Sequence, residues 1–88
     1  MKYLIAEDET DLQQAIANYL QKDSNICEVA SNFEEAVEKV SIYEYDIVIL
    51  DINLISGSGI DILKIIKKNK KRAGVIIISA NNSLSDKL

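Results

Sequence analysis

The sequence predicts an α/β domain with a doubly wound parallel sheet, and three observations carry that prediction. Four short aliphatic and β-branched runs alternate with three stretches whose apolar residues recur at helical spacing. The resulting order, βαβαβαβ, is the one in which successive strands lie parallel and are joined by right-handed crossovers. The run from Asp46 to Leu50 (DIVIL) ends at Asp51 and reads as a strand covered on both faces.

Strand one is Lys2 to Ala6 (KYLIA), too short for a helix, and it stops at the acidic triplet Glu7, Asp8, Glu9. Leu12, Ala15, Ile16, Tyr19 and Leu20 then repeat at helical spacing, with Thr10 or Asp11 placed to cap a first helix ending near Lys22. The turn Asp23, Ser24, Asn25 leads into strand two, Ile26 to Ala30 (ICEVA). Ser31 to Glu34 reads as a capping box for a second helix whose inner stripe is Phe33, Ala36, Val37 and Val40. After strand three, the residues from Asn53 to Gly59 form a loop with two glycines. A third helix is lined by Ile62, Leu63, Ile65 and Ile66 and runs out in a basic tail reaching Arg72. Gly74 releases the chain into strand four, Val75 to Ser79 (VIIIS).

Composition narrows the chemistry. Eighty-eight residues, 48% hydrophobic and 27% charged, are enough for one globular core and no more. The apolar runs are far shorter than a bilayer span and no leader is visible, so a cytoplasmic location without membrane contact is expected. A single cysteine and no histidine exclude an internal disulfide, a zinc-type ligand set and the Ser-His and Cys-His nucleophilic pairs. Any metal must be held by oxygen. The net charge of −4 argues against general nucleic-acid affinity.

Ligands of open parallel sheets bind beyond the carboxyl ends of the strands. Strand one ends at Glu7 and Asp8, strand three at Asp51 and strand four at Ser79, so parallel packing predicts an acidic cluster at one rim. Carboxylates held about 4–6 Å apart repel one another unless a cation neutralises them, and Mg²⁺ is the obvious hard divalent candidate.

Three pieces, LIAEDE from Leu4 to Glu9, DINLISGSGIDIL from Asp51 to Leu63, and the pair Ser79-Ala80, occur in the order found in bacterial response regulators, and the sequence resembles their receiver domains. That resemblance implies a flavodoxin-like fold with strand order 2-1-3-4. It implies that Asp51 takes a phosphoryl group from the phosphohistidine of a sensor histidine kinase. It places Mg²⁺ on Asp8 and Asp51, on the backbone carbonyl of Asn53, and on Glu7 through water. Ser79 falls on the position whose hydroxyl bonds the phosphoryl oxygen and turns inward as a switch, with Ala80 leaving it room. Such a module is no ordinary enzyme; self-phosphorylation and self-dephosphorylation are the most it would catalyse.

The sequence departs from the family in two places. Ile55 stands where a proline usually follows the acceptor by four residues, which loosens the loop. The family domain also continues with a fifth strand, a lysine that pairs with the phosphoryl group, and two more helices. The sequence stops at Leu88, so an incomplete receiver domain spanning residues 1–88 is expected.

Blander readings exist for each feature. Glu7 to Glu9 could be a solvated helix start, Asp51 a turn cap, Ser79 a strand terminator, and the basic run from Lys64 to Arg72 a complement to a helix dipole. Cys27 reads as a small hydrophobe, and Gly57 and Gly59 as loop and helix-start residues. The first three gain weight from sharing adjacent strand ends. A second functional class is an interaction or self-assembly module, a homo-oligomer or segment-exchanged dimer, because strand four would lie at an uncovered sheet edge. A flavin-binding domain is disfavoured, since no hydroxyl- and glycine-rich phosphate loop follows strand one.

Overall fold

A computed structural model of the chain describes residues 1–69 and 72–78. Its elements are β1 (Lys2–Ala6), α1 (Thr10–Gln21), β2 (Ile26–Ala30), α2 (Phe33–Ile42), β3 (Ile47–Asp51), the short strands β4 (Asn53–Leu54) and β5 (Gly57–Ser58), α3 (Gly59–Lys68) and β6 (Gly74–Ile78). The main sheet has the order β2-β1-β3-β6 and every pair in it is parallel. With β6 as the fourth long strand, this is the expected 2-1-3-4 order.

The sheet is covered on both faces because its strands alternate apolar side chains in both directions. Leu4, Ala6, Val48 and Leu50 face α2 and α3, where Ala36, Val40, Ile62 and Ile66 complete one buried cluster. Ile5 and Ile49 face α1 and pack with Ala17, flanked by Ile16, Leu20, Val29 and Cys27. Leu4, Leu50 and Ile62 are fully buried, and burial of each such side chain is worth about 1.5–3 kcal/mol over exposure. The α2 stripe Phe33, Ala36, Val37, Val40 is the one expected.

Three local expectations are corrected. Neither Thr10 nor Asp11 caps α1; Glu9 holds the cap position, without a side-chain cap bond, and its carbonyl accepts the Gln13 N–H. The inner face of α1 is also rotated: Tyr19 is 70% exposed and Ala15 lies outside, while Gln13 and Ala17 are buried. At α2 the capping box is displaced by one residue. Asn32 Oδ1 accepts from Glu35 N–H, and Glu35 Oε1 accepts from Ser31 N–H, so Glu35, not Glu34, returns the bond.

Loop expectations also shift. The segment after Asp51 contains the antiparallel pair β4–β5, with Ser56 at φ 74° in the turn. α3 stops at Lys68, with Asn69 as its C-cap, short of Arg72. No helix among the described residues is long and apolar enough to cross a membrane.

Candidate functional site

The rim at the carboxyl ends of the strands is positioned by register. Ala6 lies beside both Ala30 and Leu50, so Glu7 and Asp51 each sit one residue past a matched row on adjacent strands. Glu7 N–H donates to the Ala30 carbonyl at 3.0 Å, which carries the β1–β2 ladder one bond past Ala6 and holds the Glu7 main chain at the rim. Glu7, Asp8 and Asp51 thus converge, each offering an oxygen within 4.8 Å of the other two. They line an open cleft of about 410 Å³ with Glu9, Asn53, Leu54 and Ile55.

The carboxylates differ in environment. Glu7 is 1% exposed and Asp51 4%, whereas Asp8 is half-buried. Asp51 Oδ1 accepts the Asn53 N–H at 3.0 Å, which sets the orientation of the carboxylate. Glu7 Oε2 accepts the Glu9 N–H at 3.0 Å, but Glu7 Oε1 is buried without a hydrogen-bond partner among the described residues. Burial pushes the Glu7 carboxyl from 4.5 up to about 7; the Glu9 N–H opposes the rise, and the neighbouring carboxyl groups of Asp51 and Asp8 add to it. A buried carboxylate oxygen whose lone pairs accept no hydrogen bond, beside two more carboxylates, needs either a proton or a cation. The all-oxygen donor set fits a hard divalent ion of the Mg²⁺ type.

Gln13 escapes a sequence reading that seeks an apolar helix face. Its side chain is buried and donates to the Glu7 carbonyl at 2.9 Å and to Ser31 Oγ at 3.2 Å, tying α1 to the turns after β1 and β2. The available signal was Ala17, one turn later, a small residue on the same side. Gly59 acts through close approach. As the first residue of α3 it packs so tightly on the Asp51 main chain that a methyl group there would overlap the Asp51 carbonyl oxygen. Its N–H donates to the Ile52 carbonyl at 2.9 Å. Gly57 makes room in the same way for the Phe33 ring, while Phe33 N–H donates to the Ile55 carbonyl at 2.9 Å.

Gly59→Ala would gain at most about 1 kcal/mol of helix propensity. The colliding group is backbone and cannot rotate away, so a net loss of about 1–3 kcal/mol is expected, read as a lower urea midpoint.

Of the residues picked from the sequence, Glu7, Asp8, Asp51 and Asn53 are brought together. Ser79 and Ala80 lie outside the described residues.

The family model for the response regulator receiver domain matches residues 3–88. The chain is 38% identical over 89 residues to the sensory transduction protein LytR of Staphylococcus haemolyticus, covering 99% of this chain and 35% of that protein. It is 30% identical over 88 residues to the cell cycle response regulator CtrA of Brucella ovis, covering 100% of this chain and 38% of that protein. The chain therefore spans little more than a third of the length of these curated relatives. Among solved structures it is similar to the response regulator TrrA of Thermotoga maritima, crystallised in complex with Mg²⁺ and BeF. The TM-score is 0.84 and the identity 33%, over 98% of this chain and 76% of that one. A Francisella response regulator receiver domain gives a TM-score of 0.84 at 30% identity, over 98% of this chain and 71% of that one.

Proposed function

The chain belongs to the response regulator receiver domain family, whose members are regulatory phospho-acceptor modules, and from that premise we propose that Asp51 accepts a phosphoryl group from a sensor histidine kinase with Mg²⁺ in the cleft. The observation that carries the proposal is the convergence of Glu7, Asp8 and Asp51, with Glu7 Oε1 buried and without a partner among the described residues. Asp8 and Asp51 would hold the ion directly, the Asn53 carbonyl would add a neutral ligand, and Glu7 would act through water. The TrrA complex with Mg²⁺ and BeF supports the choice of ion.

Phosphoryl transfer passes through a loose transition state, so alignment and charge neutralisation outweigh nucleophile strength. A carboxylate oxygen of Asp51 forms the new bond to phosphorus as the bond from phosphorus to the donor histidine nitrogen breaks. The imidazole departs with the electron pair and takes up a proton. Asn53 N–H holds the Asp51 carboxylate in one orientation while this happens. Mg²⁺, when bound, supplies the positive charge that offsets three carboxylates and the incoming phosphoryl oxygens. Ser79 would donate its hydroxyl to a phosphoryl oxygen and turn inward, the change of surface that partners read. Slow self-phosphorylation from small donors and slow self-dephosphorylation are the only turnover this site would support. The cytoplasm is the proposed location, with no direct contact to nucleic acid or membrane.

The test uses a small-molecule phosphodonor. With acetyl phosphate and Mg²⁺, the intact protein should gain the mass of one phosphoryl group, stable in acid and labile in alkali. The gain should vanish when the metal is chelated. A folded, Mg²⁺-saturated protein that gains nothing would overturn the proposal.

A second reading is favoured by β6. Its outer edge pairs with nothing among the described residues, and Ile76 on it is 49% exposed. Apolar edges of this kind drive association, so self-assembly, with or without exchanged segments, is the alternative role.

A further inference from the structure

We infer that Gln13 is a positioning residue for the ion: it clasps the turn on either side of Asp8, the carboxylate offered to Mg²⁺ directly, and so sets metal affinity. The inference rests on the reading of the cleft as a Mg²⁺ site and names what gives that site its geometry.

Both carbonyls flanking Asp8 accept from this one residue. The Gln13 side chain donates to the Glu7 carbonyl at 2.9 Å, and the Gln13 main-chain N–H donates to the Glu9 carbonyl, also at 2.9 Å. The amide groups of the same two neighbours are held as well, Glu7 N–H by the Ala30 carbonyl and Glu9 N–H by Glu7 Oε2. Peptide groups are planar. Fixing the Glu7 carbonyl therefore fixes the plane that enters Asp8, and fixing the Glu9 N–H fixes the plane that leaves it. The direction of the Asp8 Cα–Cβ bond follows from those two planes. One of them is held by Glu7, itself part of the acidic cluster, and the other by Gln13.

The carboxamide has one orientation in which this works. A carbonyl oxygen only accepts, so the side-chain NH2 must face Glu7. Ser31 Oγ accepts from the same nitrogen at 3.2 Å, and Ser31 is in turn fixed by its N–H bond to Glu35 Oε1 at the head of α2. Gln13 is 5% exposed and stands one turn from Ala17 on the inward face of α1. An apolar side chain there would bury the same volume without desolvating an amide. The amide is directed instead at the carbonyl that aims Asp8. Mg²⁺ demands near-octahedral ligands at about 2.0–2.1 Å, and groups that orient metal ligands typically account for about 10–100-fold in affinity.

Calorimetric titration with magnesium chloride tests this. Gln13→Met keeps the length and apolar bulk of the side chain but donates nothing, and it should raise the Mg²⁺ dissociation constant at least about tenfold. Val40→Ala cuts the core beside Tyr45 and Ile66, outside the cleft. It should lower the urea midpoint through a cavity and leave the dissociation constant within about twofold. With acetyl phosphate, Gln13→Met should need about tenfold more Mg²⁺ for half-maximal uptake and approach the parent rate at saturation. In the parent, the Gln13 NH2 resonances should shift as Mg²⁺ saturates the chain, a reading that needs no variant. A Gln13→Met protein with a lowered urea midpoint and unchanged Mg²⁺ affinity would reduce Gln13 to a structural tie and leave the Mg²⁺ site standing. Should that variant not fold, the parent resonances decide, and NH2 signals indifferent to Mg²⁺ defeat the inference. A parent chain that binds no Mg²⁺ overturns this inference together with the reading beneath it.

Discussion

Asp51→Asn is expected to abolish phosphoryl uptake completely and, in chelator at pH 8, to make the protein more stable. Loss of uptake follows because an amide oxygen is no nucleophile toward phosphorus at neutral pH, and Glu7, level with Asp51 on the adjacent strand, is buried. The gain in stability follows from the cluster. Asparagine can keep the bond from Asn53 N–H through its oxygen, and its amide nitrogen can donate toward Glu7 Oε1, the buried oxygen that has no partner among the described residues. One of three converging negative charges disappears at the same time. A hydrogen bond to a charged group is worth about 1.5–3 kcal/mol, so the urea midpoint should rise by a matching amount. Added Mg²⁺ should stabilise the parent chain and leave the variant almost unchanged. An Asp51→Asn protein that is less stable than its parent at pH 8 would contradict the electrostatic account of the cluster.

The metal-free protein is expected to lose stability as the pH rises from about 5 to about 8, contrary to the usual behaviour of a carboxylate in an ion pair. The Glu7 carboxyl is raised from 4.5 to about 7 in the fold, chiefly by burial. A group whose folded pKa is raised prefers to keep its proton in the native state. Its contribution is fully present below the unfolded value and is lost as the pH climbs through the folded one. The loss should amount to roughly 2–3 kcal/mol across that window. Mg²⁺ competes for the same site, so its affinity should climb with pH, level off above about 7, and release a proton on binding below that point. Unfolding curves at the two pH values, with chelator and with Mg²⁺, measure both effects. Glu7→Gln should flatten the metal-free profile and weaken the ion. A parent profile already flat in chelator would show that Glu7 carries its charge in the fold.

Much of this was readable in the sequence because the signals were binary. β1 and β2 fall where short apolar runs stand, and the sheet order follows from parallel crossovers. Glu7, Asp8 and Asp51 could be paired from sequence because strand ends in a parallel sheet share a rim. What escaped was whatever depends on a particular side chain choosing a partner. Gln13 looks like a surface residue until the Glu7 carbonyl is set beside it. The shift from Glu34 to Glu35 at the start of α2 turns on which of two neighbouring polar residues, Ser31 or Asn32, takes the cap, and pattern alone does not separate them. Gly59 gives no sign in sequence that the Asp51 carbonyl fills the space of its missing side chain.

The hairpin behind the acceptor is moored to the start of α2. Ile55 takes a bond from the first amide of α2, and the Phe33 ring rests on Gly57, so this stretch of the rim is fastened to the head of that helix. A displacement of this hairpin would therefore bear directly on the first turn of a helix ten residues long that ends at Ile42.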